Sequence, residues 1–187
     1  MDTEMKSALL RVMPFIIIFF VLVLQIKKGK ISGHDLFINK PSSINRFLGW
    51  VICFLMFVLL VEFALFTTGF LETDPWKHPF LPSVIRILGA VILAPIVEEL
   101  IFRGLFLRML LKRKLNLHLA IFIQAGVFVL LHNFTWQNTL SSNIGIIQSL
   151  TDAVLFGYAK QHTKSIYTPV AMHISGNFIA TVERFIL

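Results

Sequence analysis

Six stretches of nearly uninterrupted apolar residues, separated by short polar segments, set the pattern of this chain. Residues 9–26 are almost wholly apolar, with no polar side chain from Phe15 to Leu24, and they close on Lys27, Lys28 and Lys30. Residues 47–70, 82–111, 117–134, 144–159 and 167–187 repeat the pattern. A hydrocarbon core about 30 Å thick is crossed by about 20 apolar helical residues, so each stretch is expected to form a spanning helix. The third exceeds that length, and its last turns are expected to tilt or to leave the membrane.

The polar segments alternate in character. Residues 27–46 carry Gly, Ser, Pro, Asn and five Lys or Arg, residues 112–114 read Lys-Arg-Lys, and Lys160 and Lys164 flank a third basic turn. Residues 71–79 are acidic and proline-punctuated around Trp76, and residues 135–143 form a chargeless polar loop with Trp136. Lys and Arg gather in cytoplasmic loops, and Trp at the headgroup level. All three basic segments then fall on one side, with the N-terminus and both tryptophans outside. A signal peptide is the competing reading of the first stretch, but it lacks a small-residue cleavage site and its positive charge follows the apolar run more densely than it precedes it. The expected fold is an all-α polytopic membrane bundle of about six transmembrane helices. Residues 1–46 supply a first helix with its basic loop, and residues 47–187 supply the bundle.

Composition agrees. The 187 residues are 56% hydrophobic and 14% charged, far from the roughly 25% charged of a soluble domain. The net charge of +7 lies largely in loops flanking apolar runs, which suits anionic lipid and argues against a nucleic-acid partner. The single cysteine, Cys53, sits within a span, so there is no disulfide framework and no cysteine-based metal motif. A multi-pass cell-membrane protein is expected, and the Ile, Lys and Phe bias suits a bacterial source.

Charges within spans carry the chemistry. Ala94-Pro95-Ile96-Val97-Glu98-Glu99-Leu100-Ile101-Phe102-Arg103 places three ionisable groups in the third span, each costing about 2.5–3.5 kcal/mol at the centre of a helix in lipid. Glu99 and Arg103 are four apart with the acid first, the better orientation for a helical ion pair. Glu98 points about 100° away, free to face a cavity as a general base. Pro95 removes a backbone donor, so a kink is expected beside these residues.

The fourth span holds Phe128 and His132, and the sixth holds His173 and Asn177, which share a helix face. A neutral imidazole orients water or accepts its proton, and His and Asn donors stabilise an oxyanion. Such a set suffices for acyl hydrolysis by activated water, without a serine or cysteine nucleophile. Each residue alone is as readily an interhelical hydrogen bond, and Phe128 alone is a packing residue. Glu62 and Asp152 also fall within spans without an obvious partner, lining the same cavity or making a separate polar contact. His34, His78, His118 and His162 lie in or near loops and read as solvated.

Taken jointly, Glu98-Glu99-x-x-x-Arg103, Phe128-x-x-x-His132 and His173-x-x-x-Asn177, each in its own span and in this order, resemble the CPBP family of CAAX proteases and bacteriocin-processing or self-immunity proteins. Gly157-Tyr158 and Thr168-Pro169-Val170 ahead of His173 add to the resemblance, which covers about residues 82–177. It implies an intramembrane endopeptidase opening toward the cytoplasmic half of the membrane and acting on a membrane-associated or short peptide. Glu98 and His132 would activate water, His173 and Asn177 would form the oxyanion hole, and Glu99, Arg103 and Phe128 would support them.

No cofactor is expected. Two histidines and a carboxylate are donors that zinc accepts, so Glu98, His132 and His173 would be the ligands of any metal, but no H-E-x-x-H helix is present and a metal-free site is favoured. Larger members carry additional spans, absent from a six-helix chain. Two other readings stand beside the protease. One is a non-catalytic immunity protein that binds a bacteriocin or its receptor; the other is a small transporter, against which stands the lack of an internal repeat.

Overall fold

A computed structural model describes residues 2–71, 73–132 and 138–187. Six helices follow one another with no strand among the described residues: α1 (Thr3–Lys27), α2 (Ile44–Thr68), α3 (Phe80–Lys112), α4 (Leu117–His132), α5 (Leu140–Thr163) and α6 (Tyr167–Ile186). Each expected span has its helix, and the shifts at the ends have local causes. α2 begins at Ile44 because the Ser43 hydroxyl accepts from the Arg46 N–H, and it stops where Gly69 turns into the left-handed region at φ +73°. α5 begins four residues before the expected 144 because Thr139 and Ser142 form a reciprocal capping box. The expected end of the fourth span at Phe134, the outer position of Trp136, and Glu72 of the acidic loop all lie outside the described residues.

α1, α2 and α3 are long and apolar enough to cross a bilayer. α1 and α2 present Leu10, Ile17, Phe20, Leu60 and Phe63 outward, as lipid-facing helices do. α3 is the enclosed one, packed by α1, α4 and α6. Where helices approach most closely, glycine makes room. A Cβ on Gly89 of α3 would lie 2.3 Å from Val12 Cγ2 of α1, and one on Gly157 of α5 would lie 2.9 Å from Ile121 Cγ2 of α4.

α3 departs from a regular helix on both sides of its acidic residues. Leu88–Leu93 and Leu100–Phe106 are π-helical, with α-helical Ala94–Glu99 between them. The irregularity expected from Pro95 takes this form. The Ala94 N–H turns to the Gly89 carbonyl and Pro95 has no N–H, so neither serves the carbonyl of Ala90. That carbonyl accepts instead from Asn177 Nδ2 of α6 at 2.8 Å.

The segment between α1 and α2, expected as a plain basic loop, folds back into the bundle. Leu36 is fully buried with Leu22, Leu100 and Ile166. The Ile166 N–H donates to the Phe37 carbonyl at 2.9 Å, and the Ser42 N–H donates to the Thr163 carbonyl at 2.8 Å. The Phe37 ring lies 3.8 Å from the ammonium of buried Lys160. An apolar Leu-Phe-Ile run inside a short polar segment is the sequence trace of this anchor.

Candidate active site

Glu98, midway along α3, is buried, and so is Glu99 beside it. Successive positions on a helix point about 100° apart, so the two meet different partners. Glu99 is fully enclosed and accepts from Arg103 Nη1 at 2.9 Å, the pair that their spacing predicts. Arg103, also fully enclosed, sends Nη2 to the Ala153 carbonyl of α5 at 3.2 Å. Its guanidinium lies between two rings, 4.8 Å from Phe128 and 5.1 Å from Phe156. Each ring in turn stacks on a histidine, Phe128 on His132 with centroids 4.3 Å apart and Phe156 on His173 at 5.1 Å.

Both histidines turn Nε2 toward Glu98. His132 Nε2 lies 3.4 Å from Oε1, and His173 Nε2 lies 3.6 Å from Oε2. The other nitrogens set the tautomers. His132 Nδ1 is 2.8 Å from the Phe128 carbonyl, which only accepts, so Nδ1 carries the proton. His173 Nδ1 is 2.9 Å from Glu99 Oε1, the same oxygen that accepts from Arg103, so it too donates. In the neutral rings each Nε2 is therefore a lone pair aimed at the carboxylate of Glu98. Asn177 spends one N–H on Ala90, keeps a second, and lines the same cavity as the two histidines.

That cavity, of about 360 Å³, lies between α2, α4, α5 and α6 against α3. Glu62 and Asp152 are both in its wall, which places them with Glu98 rather than in a separate contact. Glu62 accepts from Gln148 Nε2 at 3.0 Å. Phe156 and Gln148 were not singled out in the sequence. The available signal was helical spacing, since Gln148, Asp152 and Phe156 fall four apart on one face of α5. Of the histidines expected to be solvated, His118 and His162 are exposed and His78 is half-buried, and each also has a partner. His78 Nδ1 lies 2.9 Å from Glu4, His118 Nδ1 lies 2.6 Å from the Tyr158 hydroxyl, and His162 accepts from Trp50 Nε1 at 2.9 Å.

Among the described residues no group of three or more His, Cys, Asp or Glu side chains is arranged to hold a metal ion. His132 and His173 address different oxygens of Glu98 instead of sharing a point with it.

Residues 80–179, from the start of α3 to two residues past Asn177, match the family described as type II CAAX prenyl endopeptidase Rce1-like. The chain belongs to this family. The match takes in 100 of the 187 residues, holds Glu98, Glu99, Arg103, His132, His173 and Asn177, and leaves out α1 and α2. No curated protein and no solved structure matches the chain. The Rce1-like chain is thus, in general terms, a CAAX-type endopeptidase of the membrane. Its α1, outside the match, closes against α3, and its α2 supplies Glu62 to the cavity.

Proposed function

We propose that this membrane protein hydrolyses a peptide bond of a short or membrane-associated peptide with a water molecule activated by Glu98 and His132. One observation carries the reading: Nε2 of His132 and Nε2 of His173 face the two oxygens of Glu98, each ring held by a donating Nδ1. A water seated beside Glu98 gives one proton to the carboxylate while its oxygen attacks the carbonyl carbon. The oxyanion so formed takes donors from the second N–H of Asn177 and from Nε2 of His173 once that nitrogen has taken a proton from solvent, with Nδ1 held by Glu99. As the C–N bond breaks, Glu98 returns the proton to the leaving amine, and acid and amine products depart. No step passes through a metal or cofactor.

The substrate meets the protein within the bilayer. The family's description names a prenyl CAAX substrate, whereas the bacterial source expected from the Ile, Lys and Phe bias would favour an unprenylated peptide, as in bacteriocin processing or self-immunity. No nucleic acid takes part.

The test is Glu98→Gln in the purified full-length protein, which keeps the side chain's shape and removes the base. Cleavage is expected to fall by about 100-fold or more, the lower end of what a general base contributes, with membrane insertion unchanged. Retained cleavage would overturn the assignment. Bacteriocin immunity that persists in cells carrying Glu98→Gln would point to the non-catalytic binding role.

A further inference from the structure

Glu98 and Asn177 also line a second, larger cavity, of about 690 Å³, between α1, α3 and α6. Its character is the reverse of the first. The 360 Å³ cavity is lined by Glu62 and Asp152 with no lysine or arginine in its wall. The larger one is lined by three arginines from three helices, Arg11 of α1, Arg86 of α3 and Arg184 of α6, against the carboxylates of Asp74 and Glu98. These gather at the end of the bundle that carries the segment between α2 and α3, away from the Lys-rich turns.

The arginines are not all answered by acids. Arg184 donates through Nε to the Asp74 carbonyl at 2.8 Å, places Nη2 3.7 Å from the exposed Asp74 carboxylate and lies 5.0 Å from the Trp76 ring. Arg86 is buried and reaches Glu4 at 3.3 Å and Ser7 at 3.0 Å through Nη2, yet its buried Nε has no hydrogen-bond partner. Arg11 has no ion pair or hydrogen bond among the described residues. Guanidinium groups are the best-matched side chains for carboxylates, which they grip through paired donors. Glu98 therefore stands between a wall with no lysine or arginine and a chamber where arginines outnumber carboxylates, Arg11 being unpaired and Arg86 Nε unsatisfied.

We propose that the arginine-lined cavity receives a carboxylate of the peptide substrate, from its chain terminus or from an Asp or Glu side chain, and so selects the bond presented to Glu98. This rests on the endopeptidase reading and deepens it. Complementary charge of this kind fixes register and excludes wrong partners. A peptide entering in the opposite sense would set its carboxylate against Glu62 and Asp152.

The experiment traps peptides rather than products. Full-length Glu98→Gln protein in phosphatidylcholine nanodiscs is mixed with a synthetic peptide library, and the retained peptides are sequenced by mass spectrometry. Retention is expected to favour peptides bearing a carboxylate and to drop roughly tenfold when Arg11→Gln is added. Arg11 is exposed on α1, so this change leaves the fold intact. Amidated termini and Asn-for-Asp versions of the retained peptides separate the two sources of the carboxylate. A retained set without carboxylate preference, or one indifferent to Arg11→Gln, would overturn the proposal. So would displacement of the peptides by phosphatidylglycerol in the disc, which would assign the arginines to a lipid phosphate. Carboxylate-selective retention together with no cleavage by the unsubstituted protein would leave this site standing and remove the hydrolytic reading.

Discussion

His173 Nδ1 lies 2.9 Å from Glu99 Oε1, so the carboxylate paired with Arg103 is bonded directly to a histidine that faces Glu98. Scaffold and site are one network. Arg103 holds Glu99, Glu99 holds the proton of His173 on Nδ1, and the remaining nitrogen of that ring is thereby aimed at Glu98. A histidine's second nitrogen is set by the bond that its first one makes.

Glu99→Gln tests this link. It keeps the volume of the side chain but leaves Arg103 charged and unanswered in a fully enclosed position, where losing one partner of a buried pair costs about 3–5 kcal/mol. A lower thermal midpoint in nanodiscs is the expected result, measured by intrinsic fluorescence. The companion change Arg103→Lys keeps the charge but loses the second bond to Ala153 and the fit between two rings, so a smaller loss is expected. If Glu99→Gln were as stable as the parent, the network would carry no structural weight.

Phe156 separates packing from positioning. It stacks on His173 on one side and lies under Arg103 on the other. Phe156→Leu keeps an apolar side chain while removing the flat surface that fixes the imidazole plane. Turnover is expected to fall by about tenfold, the size of a stacking contribution near 1 kcal/mol or slightly above, with KM nearly unchanged. Phe156→Tyr should restore most of the rate, and a KM effect alone would show that the ring touches substrate instead.

The sequence made legible the parts that obey helical periodicity and lipid solubility. Six spans, the Glu99–Arg103 pair and the shared face of His173 and Asn177 follow from residue spacing, because those relations are local. Depth was harder to read. In straight, regular helices His132 near the end of α4 and His173 near the start of α6 sit at different levels, yet both face Glu98. The two π-helical turns that flank Glu98 in α3 were hidden too, since nothing in the composition of Leu88–Leu93 or Leu100–Phe106 advertises them. The inward fold of Leu36 and Phe37 left only the short Leu-Phe-Ile run as a trace, since three apolar residues in a polar segment give no period to follow.

Chelation addresses the chemistry of the donor set. Because His132 and His173 engage separate oxygens of Glu98, EDTA or 1,10-phenanthroline is expected to leave Glu98-dependent cleavage unchanged. Loss of cleavage on chelation, recovered on adding zinc and matched by stoichiometric zinc in elemental analysis, would replace the proposed route with a metal-assisted one.

Pro95→Ala sets propensity against function. A proline within a helix costs about 3 kcal/mol relative to alanine by intrinsic propensity, so on local grounds the change should stabilise α3. It also restores an N–H at the position where its absence leaves the Ala90 carbonyl to Asn177. With a backbone donor available, the wide turn at Leu88–Leu93 can close into a regular helix. Asn177 then loses its anchor, and Glu98, three residues beyond Pro95, rotates relative to His132 and His173. Thermal stability is expected to hold or rise while turnover falls by about tenfold or more, in line with the cost of misplacing a reacting group by about 1 Å. Asn177→Ala in the Pro95→Ala background should then add little, since the contact it removes is already gone. Full additivity of the two losses would show that Pro95 and Asn177 act separately, and that the irregular turn of α3 is not what presents Glu98 to its partners.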